Sequence, residues 1–122
     1  MNRFVVDAST VLTWCFPDEH SARAQQIADL FKQGGTAIVP PFWHHEVLSA
    51  LLVGERRKRI TAPLIQAFLD DLSALPITLE TIETAYVFDN IHALCRTHAL
   101  TPYDAAYLDL ARACHWRLLT RI

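Results

Sequence analysis

Three acidic residues stand where the chain pattern turns from one element to the next: Asp7, Glu46 and Asp104. Asp7 follows Phe4-Val5-Val6, a short aromatic and β-branched run that reads as a buried strand. An open α/β sheet binds ligands outside the carboxyl ends of its strands, so Asp7 is expected at the mouth of that crevice. Glu46 lies near the start of a helix expected after a second strand, and Asp104 in the first turn of the helix before the last one. Carboxylates gathered in one place repel each other, and one tends to keep its proton. A hard divalent ion such as Mg²⁺ relieves that conflict, because it takes oxygen ligands and keeps several waters. Such an ion polarises a phosphoryl oxygen and lowers the pKa of a bound water. The expected chemistry is hydrolysis of an RNA phosphodiester, with Asp7, Glu46 and Asp104 holding the metal or orienting its water.

Around these acids, Ser9 and Thr10 are candidates for binding phosphate or supporting the carboxylates. The basic run Arg56, Arg57, Lys58 and Arg59 is a candidate for the RNA backbone, a contact that weakens with salt. Trp43 suits either base stacking or the core. Each residue also has a plainer reading. Asp104 completes a capping box with Thr101, and Asp7 caps the helical turn after it. Glu46 is a half-buried charge paired with an arginine, and the basic run is a solvated helix end whose charge suits the dipole. Asp109 falls on a different helix face from Asp104 and reads as surface. His44-His45 and the separated His92 and His98 lack zinc-ligand spacing, and His115 reads as a helix cap.

The elements that must position the acids follow from periodicity and punctuation. After the first strand, residues 11–16 form a short helix or turn ended by Pro17. Ser21 is expected to cap a helix from Ala22 to Lys32, which Gly34-Gly35 terminates. Thr36 to Val39 reads as a second strand stopped by Pro40-Pro41. Residues 42–59 read as a helix with Trp43, Val47, Ala50, Leu51 and Gly54 on its buried side. Thr61 and Pro63 start another, which carries Ile65, Phe68, Leu69, Leu72 and Leu75 and ends at Pro76. Ile77-Thr78-Leu79 is a third strand. A helix over 81–97 shows Ala85, Phe88, Ile91, His92 and Cys95 on one face. Thr101-Pro102 starts the helix that runs to Cys114, and Leu118-Leu119-Thr120 is the last strand. The order β-α-α-β-α-α-β-α-α-β predicts an α/β fold, a three-layer α/β/α sandwich with a mainly parallel central sheet.

Bulk properties agree with one such domain over 1–122. The chain has 122 residues and is 52% hydrophobic, above the usual share of about 45–50%, which suits a well-filled core or an oligomer surface. The net charge of −2 lacks the strong positive balance common in nucleic-acid-binding domains, so a basic rim around an acidic site is the expected arrangement. Cys15, Cys95 and Cys114 are an odd set without metal spacing, expected as buried small hydrophobes in a reducing compartment. Neither a signal peptide nor an apolar stretch of membrane-spanning length is seen, so a cytoplasmic location is expected.

Four blocks together resemble the PIN-domain family, and within it the VapC ribonuclease toxins of type II toxin–antitoxin systems. They are Val6-Asp7-Ala8-Ser9, Glu46-Val47-Leu48-Ser49-Ala50-Leu51, Thr101-Pro102-Tyr103-Asp104-Ala105-Ala106-Tyr107-Leu108 and Leu118-Leu119-Thr120. The resemblance covers essentially the whole chain. It implies a Mg²⁺-dependent endoribonuclease, with Mn²⁺ able to substitute, acting on tRNA, rRNA or mRNA. It also implies a small antitoxin partner, a homodimer, and Asp7, Glu46 and Asp104 as site acids with Thr120 beside them. The family pattern departs at two places. Its usual fourth aspartate falls at Ile122, so a truncated domain or one lacking that acid is expected. Ser49 stands near a supporting asparagine of the family. A catalytically weak protein-binding module, and a phosphohydrolase acting on DNA or small phosphoesters, are the alternative readings.

Overall fold

The computed structural model describes residues 3–16, 22–114 and 117–119 and gives the expected alternation. β1 (Arg3–Val6) leads through Asp7 into α1 (Ala8–Leu12); α2 (Ala22–Lys32), β2 (Thr36–Val39), α3 (Trp43–Arg56), α4 (Ala62–Ser73) and β3 (Ile77–Leu79) follow. A helical stretch then runs through α5 (Thr84–Tyr86), a π turn (Val87–Ile91) and α6 (His92–His98). α7 (Pro102–Cys114) and β4 (Arg117–Leu119) complete the order. The four strands lie in the order β3-β2-β1-β4, and all three pairings are parallel. With its helical layers the molecule is an α/β/α fold.

Sheet position explains strand burial. β1 has neighbours on both sides, and Phe4, Val5 and Val6 are all buried, as in a strand covered on both faces. β3 lies at the edge, is three residues long, and leaves Thr78 and Leu79 exposed. A short edge strand offers little template for further pairing. β1 connects toward β2 on one side, while β4 returns on the other. The reversal of order therefore falls between β1 and β4, where parallel sheets open a crevice at the strands' carboxyl ends.

The main core joins β1 and β2 to α1, α2, α3, α4 and α7, with Ile27, Trp43, Val47, Leu51 and Leu110 among its buried residues. A smaller cluster of Ile91, Ala105 and Ala106 seals α7 against the helical stretch before it. Gly34 ends α2 at a φ of +84°, where a residue without Cβ avoids strain. Thr61 has the extended backbone of an N-cap, yet its side chain makes no cap bond. Ser21, expected to cap α2, lies outside the described residues, as does His115.

Two periodicities differ from expectation. In the stretch over 84–98, Ile91 is buried but Phe88 is 69% exposed and His92 is exposed. The π turn over 87–91 adds a residue to the helical repeat and rotates the following positions out of the 3.6-residue phase. On α7 the buried set is Ala105, Ala106, Tyr107, Leu110 and Ala111, while Arg112 faces solvent. Cys15 and Cys95 are free thiols and half-buried rather than fully enclosed; burial pushes Cys15 up to about 12. No described helix is long and apolar enough to cross a membrane.

Candidate active site

Asp7 is the N-cap of α1, held in extended backbone at the end of β1. Its Oδ1 accepts from the backbone N–H of Thr10 at 3.2 Å and from the Thr10 hydroxyl, and its Oδ2 accepts from Ser9 Oγ at 2.9 Å. The expected cap therefore forms. The cap fixes the carboxylate, and the small residues after it let the chain turn away. Ser9 and Thr10 touch the acid itself.

Trp43 brings the second element in. It is fully buried, and its indole Nε1 donates to the Val6 carbonyl at 3.0 Å, pinning the start of α3 to the end of β1. A base-stacking role for Trp43 is thereby excluded, because its ring meets no solvent. Glu46, one turn along α3, is carried to the side of the helix that feels the Asp7 charge.

α7 supplies the third acid and the residue that ties the site together. Thr101 Oγ1 accepts from the backbone N–H of Asp104 at 3.2 Å, so the expected cap forms and leaves the Asp104 side chain exposed in the first turn. One turn further, the buried Tyr107 donates its hydroxyl to Glu46 Oε1 at 2.6 Å. The Ala8 backbone also acts on this phenol, favouring its ionised form. A single side chain thus ties α7 to α3. Burial is the main reason its own ionisation is pushed up, with Glu46 adding to it.

Glu46 feels the charges of the other two acids. Burial pushes the Glu46 carboxyl above the ordinary carboxylate range; the Tyr107 hydrogen bond opposes that, and the charges of Asp7 and Asp104 raise it further. Glu46 is thus paired with a phenol rather than with the arginine expected from sequence. Among the described residues no three His, Cys, Asp or Glu side chains converge tightly enough to surround an ion by themselves. The donor set still fits Mg²⁺ or Mn²⁺. All of its atoms are hard oxygens, the charges on Glu46 call for a cation, and Mg²⁺ commonly keeps waters while using one or two carboxylates.

Phe42, His45, Glu46, Ser49, Ala50 and Tyr103 line an open cavity of about 460 Å³ between α3 and the start of α7. Ser49 is thus a neighbour of Glu46. Phe42 packs edge-to-face on Tyr103 (centroids 5.1 Å apart, planes at 81°) and on Tyr107 (5.8 Å, 88°). The basic run does not enter this cavity. Arg56 ends α3, about 15 Å along the axis from Glu46 at the helical rise of about 1.5 Å per residue. Lys58 turns at a φ of +59°, and the Arg59 guanidinium lies 4.5 Å from the centre of the Phe16 ring. Thr120, expected beside the acids, lies outside the described residues.

Asp109 corrects the surface reading. It is half-buried, and its two carboxylate oxygens accept from Tyr86 Oη at 2.9 and 3.0 Å. Burial, then the Asp109 charge, lifts Glu80 to about 7. This second acidic group belongs to the junction of β3, α5 and α7. Sequence periodicity does not reveal it, nor does it assign Tyr103 and Tyr107 to the site. The available signal is their spacing about Asp104: Tyr107 follows by one helical turn and so shares its side of α7.

No family model matches the chain. It is 29% identical over 118 residues to ribonuclease VapC3 of Pyrobaculum aerophilum, an alignment that spans 97% of this chain and 88% of that protein. The likeness runs through every element that carries a candidate acid, and it supports a VapC-like family.

Proposed function

We propose that the chain is a VapC-like, Mg²⁺- or Mn²⁺-dependent endoribonuclease, the toxin of a toxin–antitoxin pair, with Asp7, Glu46 and Asp104 as its working acids. The observation that carries this reading is the pair of hydrogen bonds from Tyr107 Oη to Glu46 Oε1 and from Trp43 Nε1 to the Val6 carbonyl, which tie together the elements that bear Asp104, Glu46 and Asp7. The near full-length likeness to ribonuclease VapC3 supports the same reading from the sequence side. Asp7, Glu46 and Asp104 would hold the ion, directly or through its waters. When bound, that ion polarises the phosphoryl group and lowers the pKa of a water.

The chain's own residues supply the rest. Ser9 and Thr10 hold the Asp7 carboxylate in one orientation. Tyr107 occupies Glu46 Oε1, which leaves Oε2 to accept a proton from the attacking water. A carboxylate raised above its usual range is a better base at neutral pH than an ordinary one. Asp104, exposed at the helix start, meets the substrate side of the site. Thr120 is assigned to the same site by the PIN-family pattern, and a small antitoxin and a second copy of the chain are its expected partners.

The test is a substrate panel of RNA, DNA and small phosphoesters with and without Mn²⁺. RNA cleavage that requires the ion and disappears in Asp7→Asn, with the circular dichroism spectrum kept, is the expected result. Equal cleavage by wild type and D7N overturns the site. Cleavage of DNA or phosphoesters in preference to RNA overturns the substrate class.

A further inference from the structure

The cavity beside the acids has an aromatic wall that catalysis by carboxylates does not require. Tyr103 is 58% exposed, although it immediately precedes Asp104. It is not loose: the Phe42 ring braces it edge-to-face at 5.1 Å, and Phe42 in turn braces Tyr107, whose hydroxyl holds Glu46. The ring is therefore fixed relative to the acids while more than half of the residue meets solvent. We propose that Tyr103 is a substrate-positioning residue, a platform on which an unpaired RNA base stacks so that the neighbouring phosphodiester lies against Asp7, Glu46 and Asp104. This rests on the ribonuclease reading and adds to it the kind of RNA the site takes.

The physical argument is one of access. Bases inside an A-form duplex are already stacked on each other, so their faces are closed to a protein ring, whereas loops and single strands splay theirs. Stacking on an aromatic side chain tolerates any base, since each has a π-face. The open cavity of about 460 Å³ bounded by Phe42, Glu46 and Tyr103 leaves room for such a base next to Glu46. Trp43, the other aromatic residue at the start of α3, is sealed in the core and leaves this task to Tyr103.

The experiment measures fluorescence anisotropy of a labelled single-stranded oligoribonucleotide and of the same strand in a duplex, in Mg²⁺. An Asp7→Asn background keeps the RNA intact. Tyr103→Ala is expected to raise the Kd for the single strand by about tenfold, Tyr103→Phe to keep it, and duplex binding to stay the same in all three. Unchanged single-strand binding in Tyr103→Ala overturns the proposal and leaves the ring to a protein contact. A loss in Tyr103→Phe equal to that in Tyr103→Ala also overturns it, because the hydroxyl rather than the ring face then acts. So does an equal loss on the duplex. Failure of the ribonuclease reading is seen separately, as absence of RNA cleavage by the wild-type chain or full cleavage by Asp7→Asn.

Discussion

Tyr107 is the residue that holds Glu46. Its hydroxyl donates to Glu46 and so ties α7 to the first turn of α3, which Trp43 in turn pins to the end of β1. Its hydrogen bond also lowers the pKa of Glu46 against burial and against the two aspartates. Tyr107→Phe removes that donor, so Glu46 keeps its proton to higher pH. Cleavage that needs ionised Glu46 should fall about 10- to 100-fold. The acidic limb of the pH–rate profile should move upward, and an unmoved limb would show that Glu46 does not titrate in the reaction. The places of Asp7, Glu46 and Asp104 at a strand end or helix start are legible in sequence, because local apolar runs and caps mark those boundaries. Tyr107 is not, because its partner lies 61 positions away and only folding brings the two together. The setting of Asp109 is hidden for the same reason: helix phase tells which way it leaves α7, but not that Tyr86 waits there.

At the scale of elements, α3 is the beam of the molecule. Its first turn carries Glu46, its buried side carries Trp43, Val47 and Leu51, and its last turn closes on Phe16 at Gly54. A Cβ at position 54 would lie 2.8 Å from Phe16 Cζ and 3.0 Å from Cε1. Phe16 cannot retreat freely, since it is buried and Arg59 covers its ring. Alanine at an ordinary helical site gains about 1 kcal/mol over glycine. Here the crowding outweighs that gain, and Gly54→Ala should destabilise the chain by about 1–3 kcal/mol in urea unfolding. Unchanged or greater stability would show that the ring moves aside. Strands and most helices are readable because burial on one face imposes a period of two or near 3.6, and the breaks at Gly34-Gly35, Pro40-Pro41 and Pro76 fall where expected, while that at Pro17 lies outside the described residues. The stretch over 84–98 is readable as helix but not in phase, because a π turn leaves no mark in an apolar pattern.

Across the whole molecule, charge is divided between the two ends of α3. The net charge is only −2, yet Glu46 lies in the first turn and Arg56, Arg57 and Lys58 lie exposed at the last. A strand of RNA bound at the acids and running along α3 would meet that basic end. Replacing Arg56, Arg57 and Lys58 by Gln should weaken RNA binding at low salt. The slope of log affinity against log salt should shrink by about 0.7 for each single-strand phosphate that is no longer neutralised. The same affinity and slope in the variant would mark the run as a solvated helix end. Arg59 is left in place because its guanidinium packs over Phe16. The fold class is legible at this scale from the alternation of elements alone. The strand order is not, since β4 passing to the far side of β1 depends on packing that no local pattern records.

The most direct measurement is calorimetric titration of Mn²⁺ into the wild-type chain and into Asp7→Asn, Glu46→Gln and Asp104→Asn. The account predicts that the wild type binds the ion and that each substitution alone weakens binding, because the three charges act on one ion. Mn²⁺ affinity unchanged in all three variants would contradict it.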